Sequence, residues 1–281
     1  MNIYFDSMGS FETPIKKELI NTLVQTYGEV SLAQATNNPL YNASLATQIK
    51  KAENVFIWNG SELGCFWVID ICKAFNKRYC IFERGLFPQA ENNLIVDKTG
   101  ICCRSTSLQE KYCDKTQLDF KSISNHYKNL KLERMEPKQK YVFVFQLEFD
   151  STIYHYSNYA SNEDMVDDYV NKNNINPDSV VICPHPRNKN VQSKYKISTE
   201  KTIAECQDAK KAIGVSSTTL YEIMGLGCPV DILGGAKNLV HPINREWSDK
   251  KYIIPTILQN QFYLTDNKKY IRSKIEKNLE C

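Results

Sequence analysis

The sequence is short of the features that mark several protein classes. Its 35 basic residues face 32 acidic ones, for a formal net charge of +3, and no run of Lys or Arg dominates any segment. A protein that grips nucleic acid by neutralising phosphates carries a basic stripe, so no nucleic-acid partner is expected. No apolar run approaches the ~18 residues needed to cross a bilayer. The opening Met1-Asn2-Ile3-Tyr4-Phe5-Asp6 has neither the basic nor the apolar region of a signal peptide. The expectation is a cytoplasmic chain with no integral membrane segment. The ten cysteines include no C-x-x-C pair, which removes the usual zinc-ribbon and redox spacings. Cys72, Cys80 and Cys183 sit in apolar runs, where a free thiol behaves as a small hydrophobe.

What is present is the make-up of an ordinary globular chain: 281 residues, 42% hydrophobic and 24% charged. That length implies one large or two small domains, enough to bury a core. Short β-rich runs alternate with helical ones. Ile3–Phe5 reads as a strand. Thr13-Pro14 opens a helix, with Thr as N-cap and Pro at the first helical position. Ile15, Leu19, Ile20, Leu23 and Val24 recur at helical spacing and Gly28 ends the run. Asn54–Trp58 as strand, Gly64–Phe75 as helix and Tyr79–Phe82 as strand then make a parallel βαβ unit. The polar stretch Asn125–Lys140 has the composition of a linker. Tyr141–Phe145 restarts the pattern as a buried strand. Met165–Asn171 reads as helix, Ser179–Cys183 as strand and Thr199–Lys210 as helix. Ala212–Val215 as strand, Thr218–Leu226 as helix and Pro229–Leu233 as strand complete the pattern. The expected class is α/β, with two βαβ-rich halves, 1–137 and 138–281, joined near residue 137.

The chemistry sits at strand exits. After Ala212–Val215, Ser216-Ser217-Thr218 turns into a helix. Its free backbone N–H groups and hydroxyls suit nucleotide phosphates. Glu222, one turn on, is placed to accept from a ribose diol; the plainer alternative is that Ser216 merely caps the helix. Cys183-Pro184-His185-Pro186-Arg187 leaves another strand end, where α/β proteins bind ligands. Two flanking prolines fix the backbone of His185, either to aim its ring or simply as a rigid turn. His126, His155 and His241 are assigned no role. Gln146-Leu147-Glu148-Phe149-Asp150 exits the strand Tyr141–Phe145. Here Gln146 is suited to a sugar hydroxyl, and Asp150 to a nucleophile, a base or the cap of a following turn. In the N-terminal half, Glu83 sits where a buried strand meets solvent, and partial desolvation there raises a carboxylate pKa and suits an acid or base. Asp97-Lys98-Thr99-Gly100 and Arg104-Ser105-Thr106-Ser107 offer hydroxyls and a cation, and Trp58-Asn59-Gly60 is a further exit.

Taken in order, W-N-G at 58–60, F-E-x-G-x-x-P at 82–88, D-x-x-G at 97–100 with its Ser-rich sequel, Q-x-x-x-D-S-x-I at 146–153, x-P-H-P at 183–186 and S-S-T-x-x-x-E at 216–222 resemble the bacterial capsule polysaccharide biosynthesis family, the Kps-type β-Kdo transferases and their relatives. The resemblance spans residues 55 to 233 and implies a GT-B-like fold, two Rossmann-type lobes facing a central cleft, an acceptor-side lobe over 1–137 and a nucleotide-binding one over 138–281 whose last helix packs back on the first. It implies metal-independent transfer from CMP-Kdo onto a growing glycan. By resemblance Asp150 matches the carboxylate that attacks the anomeric carbon in retaining members, and Glu83 the acid/base. His185, Ser216 and Ser217 match contacts to the CMP phosphate. A double displacement fits two such carboxylates.

The chain lacks the D-x-D triplet with which metal-dependent glycosyltransferases commonly hold an ion against the diphosphate. That favours help from helix N-termini and from cations such as Arg187 and Lys194. The chain departs from the family in being short for a GT-B enzyme and in carrying Arg84 where some members have an acidic residue. The partners expected are a nucleotide sugar, as substrate and not cofactor, and a glycan, glycolipid or glycoprotein acceptor. No segment reads the base or the sugar, so a UDP- or GDP-sugar donor stays open beside a CMP-linked one. A sugar-nucleotide epimerase and a non-catalytic binding lobe are the alternatives from other classes.

Overall fold

The computed structural model describes all residues except 37, 61–62, 101–103, 149, 151–152, 154–155, 189, 236–240, 246 and 280–281. The chain forms two compact units. The first holds residues 1–85, 89–107 and 260–281, and the second holds 86–88 and 108–259.

The first unit is built on β1 (Asn2–Phe5), β2 (Val30–Ala33), β3 (Asn54–Trp58), β4 (Arg78–Arg84), β5 (Asn93–Asp97) and β11 (Gln261–Tyr263), in the order β11-β5-β4-β3-β1-β2. β2, β1, β3 and β4 run parallel; β5 and β11 are antiparallel additions at one edge. β1 and β3 are buried along their whole length, as strands covered on both faces must be. On one face Tyr4, Phe56, Phe82 and Leu94 pack with Leu19 and Leu23 of the helix Pro14–Tyr27 and with Ile271, Ile275 and Leu279 of the helix Lys268–Leu279. On the other, Phe5, Val55, Ile57 and Ile81 meet Leu45 and Ile49 of the helix Pro39–Lys51 and Val68 and Cys72 of the helix Leu63–Ala74. Pro14 starts the first helix as expected, but the Thr13 side chain makes no cap bond to it. Gly28 closes it at φ 81°, its N–H donating to Val24 O.

The second unit carries a five-stranded, wholly parallel sheet. Its strands are β6 (Tyr141–Val144), β7 (Val180–Cys183), β8 (Lys196–Ile197), β9 (Lys211–Gly214) and β10 (Val230–Ile232), in the order β10-β9-β6-β7-β8. Phe143, Val180, Ile182 and Ile213 pack beneath Met165, Val166, Tyr169 and Val170 of the helix Asn162–Lys172. Burial pushes the Cys72 and Cys183 thiols up to about 12, in keeping with their reading as small hydrophobes. Among the described residues no helix is long and apolar enough to cross a membrane.

Two expectations fail in the second unit, for a shared reason. The presumed linker Asn125–Lys140 contains the end of a helix, Phe120–Leu130, capped by Asp119 and stopped by Lys131 at φ 55°. Beyond it Arg134 donates to the carbonyls of Cys206, Gln207 and Ala209, so a cut near residue 137 falls inside this unit. Those carbonyls belong to the stretch expected to be helical over Thr199–Lys210. Only Thr202–Glu205 is helix; the Cys206 carbonyl, which a helix to residue 210 would pair with Lys210 N–H, accepts from Arg134, and Lys210 N–H donates to Lys140 O. Lys140, paired with Glu205 and Asp208, holds the same segment. His126, expected in polar surroundings, packs against the rings of Phe87 and Tyr127; His155 lies outside the described residues.

His241 is 1% exposed. Its Nδ1 accepts from Ile243 N–H, and burial pushes its pKa down to about 3. Unfolded, the ring takes a proton at about 6.5; the unfolded state therefore binds more protons between the two values. The stabilisation is full above about pH 6.5 and is lost as pH falls towards 3, at up to about 1.4 kcal/mol per pH unit. His241→Asn, which keeps an acceptor for Ile243, is expected to flatten the loss of unfolding free energy measured in urea between about pH 6 and pH 4. An unchanged slope would assign that acid sensitivity to other groups.

Candidate functional site

The chain enters the second sheet at β6, runs outward through β7 and β8, then returns to the other side of β6 for β9 and β10. The carboxyl ends of β6 and β9 thus flank the point where the strand order reverses, the usual crevice for ligands in open α/β sheets. Phe145 N–H still donates to Cys183 O. One residue on, Gln146 has left the ladder and turns its side-chain carbonyl across the gap, where it accepts from Ser216 N–H at 2.9 Å and from Ser216 Oγ at 3.2 Å. Both residues are buried. Gly214 at the end of β9 permits the approach, since a Cβ there would sit 3.0 Å from Val144 O.

Ser216 is therefore not the cap of the following helix. The cap position falls on Thr218, and the helix covers Thr219–Gly225. The carbonyls of Ser217 and Thr218 accept from Leu220 and Tyr221 N–H. Glu222 lies in the first turn of this helix with its side chain 14% exposed. Two contacts from Phe120–Leu130 reach it: Tyr127 Oη donates to the Glu222 carbonyl, and His126 Nε2 stands 3.8 Å from Oε1 of its carboxylate. Burial lowers the His126 pKa. These contacts escaped sequence reasoning because His126 carries no motif around it.

At the end of β7 the Pro184–Pro186 turn holds His185 with its Nδ1 accepting from Arg187 N–H at 3.1 Å. A neutral ring then carries its proton on Nε2, which becomes a donor. Burial and the Arg187 charge lower the His185 pKa, and the Asp150 carboxylate pulls the other way. Asp150 and His185 are thus within electrostatic reach of each other. Asp150 is half-buried, and its carbonyl accepts from Ile153 N–H at the start of a short turn; Phe149, Ser151 and Thr152 lie outside the described residues. Arg187 is exposed. Lys194 pairs with Asp167 at 2.7 Å, so its charge is already matched.

Glu83 belongs to the first unit. It is the penultimate residue of β4, half-buried, with Oε1 accepting from Arg84 N–H. The hydroxyls expected downstream are committed elsewhere. The buried Asp97 carboxylate accepts from Ser105 Oγ, Ser107 Oγ and the N–H groups of Thr99, Gly100, Thr106 and Ser107. That segment is a loop organised around a carboxylate, not a row of free ligand contacts.

One further residue, Asn162, appears in no motif yet contacts the tip of β6 directly: its side chain bonds both the N–H and the C=O of Gln146. A lone Asn at a helix start gives no sequence signal for this.

No family model matches the sequence, and no curated protein matches it significantly. Two solved structures share its fold from end to end. The KpsC β-Kdo 2,7 transferase of Thermosulfurimonas dismutans is 14% identical with a TM-score of 0.62, and the match covers 98% of each chain. The KpsC β-Kdo 2,4 transferase of the same organism is 12% identical with a TM-score of 0.55, covering 100% of this chain and 98% of that one. At such identity the likeness is one of fold: the chain has the two-lobed, Rossmann-like Kps-type architecture that its motifs suggested.

The seat of Glu222 depends on Gly225, where a Cβ would lie 2.6 Å from Tyr127 Oη and 2.9 Å from Phe87 Cε2. Gly225→Ala is expected to cost about 1–3 kcal/mol in urea unfolding, and adding Tyr127→Phe should recover part of it by removing the nearer atom. Additive losses in the double variant would refute this packing account.

Proposed function

We propose that this protein is a glycosyltransferase that moves a sugar from a nucleotide-activated donor, CMP-linked and Kdo-like, onto a glycan acceptor. The observation that carries the reading is the Gln146–Ser216 link across the strand-order reversal of the second sheet. It sets the Ser216–Ser217–Thr218 turn at a ligand crevice, with Glu222 one turn beyond. The full-length fold match to two β-Kdo transferases supports the glycosyltransferase reading.

In this mechanism the Ser216–Thr218 turn and His185 Nε2–H hold the phosphate, with Arg187 adding positive charge, and Glu222 accepts from the ribose hydroxyls. The Asp150 carboxylate attacks the anomeric carbon, forming a glycosyl ester as the bond to the nucleotide phosphate breaks and the nucleotide monophosphate leaves. The acceptor hydroxyl then attacks the same carbon, its proton passing to the acid/base, the role that the family resemblance gives to Glu83, and Asp150 leaves as carboxylate. Two displacements retain configuration. Burial and the Arg187 charge lower the pKa of His185, and with Nδ1 accepting from Arg187 N–H the ring offers Nε2–H to orient the leaving phosphate by a hydrogen bond. No resident metal takes part, and transfer is expected to persist in EDTA. The buried free cysteines suit a reducing compartment, in keeping with a cytoplasmic site of action.

Thermal shift with CMP, UDP and GDP tests the donor: CMP alone should raise Tm, whereas a response to UDP or GDP in its place would move the donor to that class. Asp150→Asn is expected to lower turnover by at least about a hundredfold while CMP binding persists. Glu222→Ala should instead weaken CMP binding by about 1–3 kcal/mol. Equal loss of CMP binding in the two variants would sink the division of roles.

A further inference from the structure

We infer that Asn162 is a positioning residue for the nucleotide end of the site: its side-chain amide fixes the exit of β6 so that Gln146 can hold Ser216 in place. The inference rests on the reading that Ser216 faces the nucleotide.

The reasoning begins with the backbone. Past Phe145 the strand has left both ladders, and the N–H and C=O of Gln146 lie at a buried position, where unpaired polar groups are costly. Asn162 supplies both. Its Oδ1 accepts from Gln146 N–H at 3.2 Å and its Nδ2 donates to Gln146 O at 2.9 Å. The amide thus acts as a short substitute for an adjoining strand. Only a side chain with a donor and an acceptor in a planar fork does this; Asp has no donor and Leu has neither group. Asn162 is 2% exposed, a depth at which an amide is tolerated only when its bonds are met.

Two further contacts fix the amide itself. Its Nδ2 also donates to Glu148 Oε1 at 2.8 Å, and its backbone N–H donates to the same carboxylate at 3.2–3.3 Å. Ser161 caps the helix Asn162–Lys172 by accepting from Asp164 N–H, which places Asn162 at the first helical position. The chain of contacts therefore runs from a capped helix to Asn162, from Asn162 to the Gln146 backbone, and from the Gln146 side chain to the N–H and Oγ of Ser216. Gln146 spends its carbonyl oxygen on Ser216, so the orientation of that oxygen decides where the Ser216 turn stands. Asn162 fixes that orientation without itself meeting the donor.

The test uses the full chain and three variants: Asn162→Ala, Asn162→Asp, and Asn162→Asp combined with Glu148→Gln. Each is measured for Tm without ligand, CMP affinity, donor KM and kcat. Both single variants are expected to weaken CMP binding and raise donor KM by about tenfold, with kcat changed much less. Asn162→Asp removes the donor and sets two carboxylates together; the added Glu148→Gln relieves that repulsion but returns no donor to the Gln146 carbonyl, and should recover only part of the lost affinity. A merely structural Asn162 would lower Tm and leave CMP affinity and donor KM within about twofold, and that result overturns the proposal, as does failure of all three variants to fold. Ser216→Ala separates the two levels. If it leaves CMP binding intact, the nucleotide does not sit on this turn and the underlying reading fails. If it weakens binding while Asn162→Ala does not, only the role given to Asn162 fails.

Discussion

A parallel strand that ends beside a reversal of strand order leaves a gap, and the backbone at its tip must be satisfied by something other than a neighbouring strand. That constraint governs the second unit. β6 is flanked by β7 and β9; the ladder to β9 ends at Val144 and the bonding to β7 at Phe145, just short of Gln146. The amide side chains of Gln146 and Asn162 then take over, one reaching across to Ser216 and the other binding the Gln146 backbone. The two rims of the crevice are joined through the Gln146 side chain, which accepts from Ser216 N–H and Oγ.

The first unit meets a similar demand with charge. Asp6 at the end of β1 is buried with Lys16 and accepts from Met8 N–H, while Ser10 shares the Lys16 ammonium. Asp97 at the end of β5 gathers two serine hydroxyls and four backbone N–H groups. A carboxylate accepting so many bonds organises its loop and is not available for a ligand. The Ser-rich run after Asp97 is therefore part of the frame, although its composition alone suits sugar recognition equally well.

Much of the architecture was legible in the sequence. β3 and β6 are apolar runs of strand length, and the first helix has its Pro start, its apolar spacing and its Gly stop; each is a local property that survives in the fold. β2, β5, β8 and β11 went unread: β2 and β8 are largely exposed or half-buried and lack a continuous apolar run, β11 is three residues long, and β5 pairs antiparallel with β4 with no helix between them to mark a βα repeat. The polar stretch after residue 125 misled for a different reason. Its composition is that of a linker, yet the Tyr127 hydroxyl and the Arg134 guanidinium bond to carbonyls 72 to 95 residues away. Long-range contacts of this kind leave no mark on local composition.

At the candidate site, the sequence by itself determined which residues leave the strand ends. Gln146, Asp150, His185, Ser216 and Glu222 were found by position in a strand–turn–helix pattern, and that pattern is local. Only the tertiary structure decided how their polar groups are spent. Gln146 braces Ser216, Thr218 takes the cap position, Glu222 stands beside His126, and Asn162 joins the site from a helix no motif marks. The physical reason is that a hydrogen bond is allotted among all the partners folding brings within reach, and those partners are set by which strands lie side by side, not by which residues are neighbours along the chain.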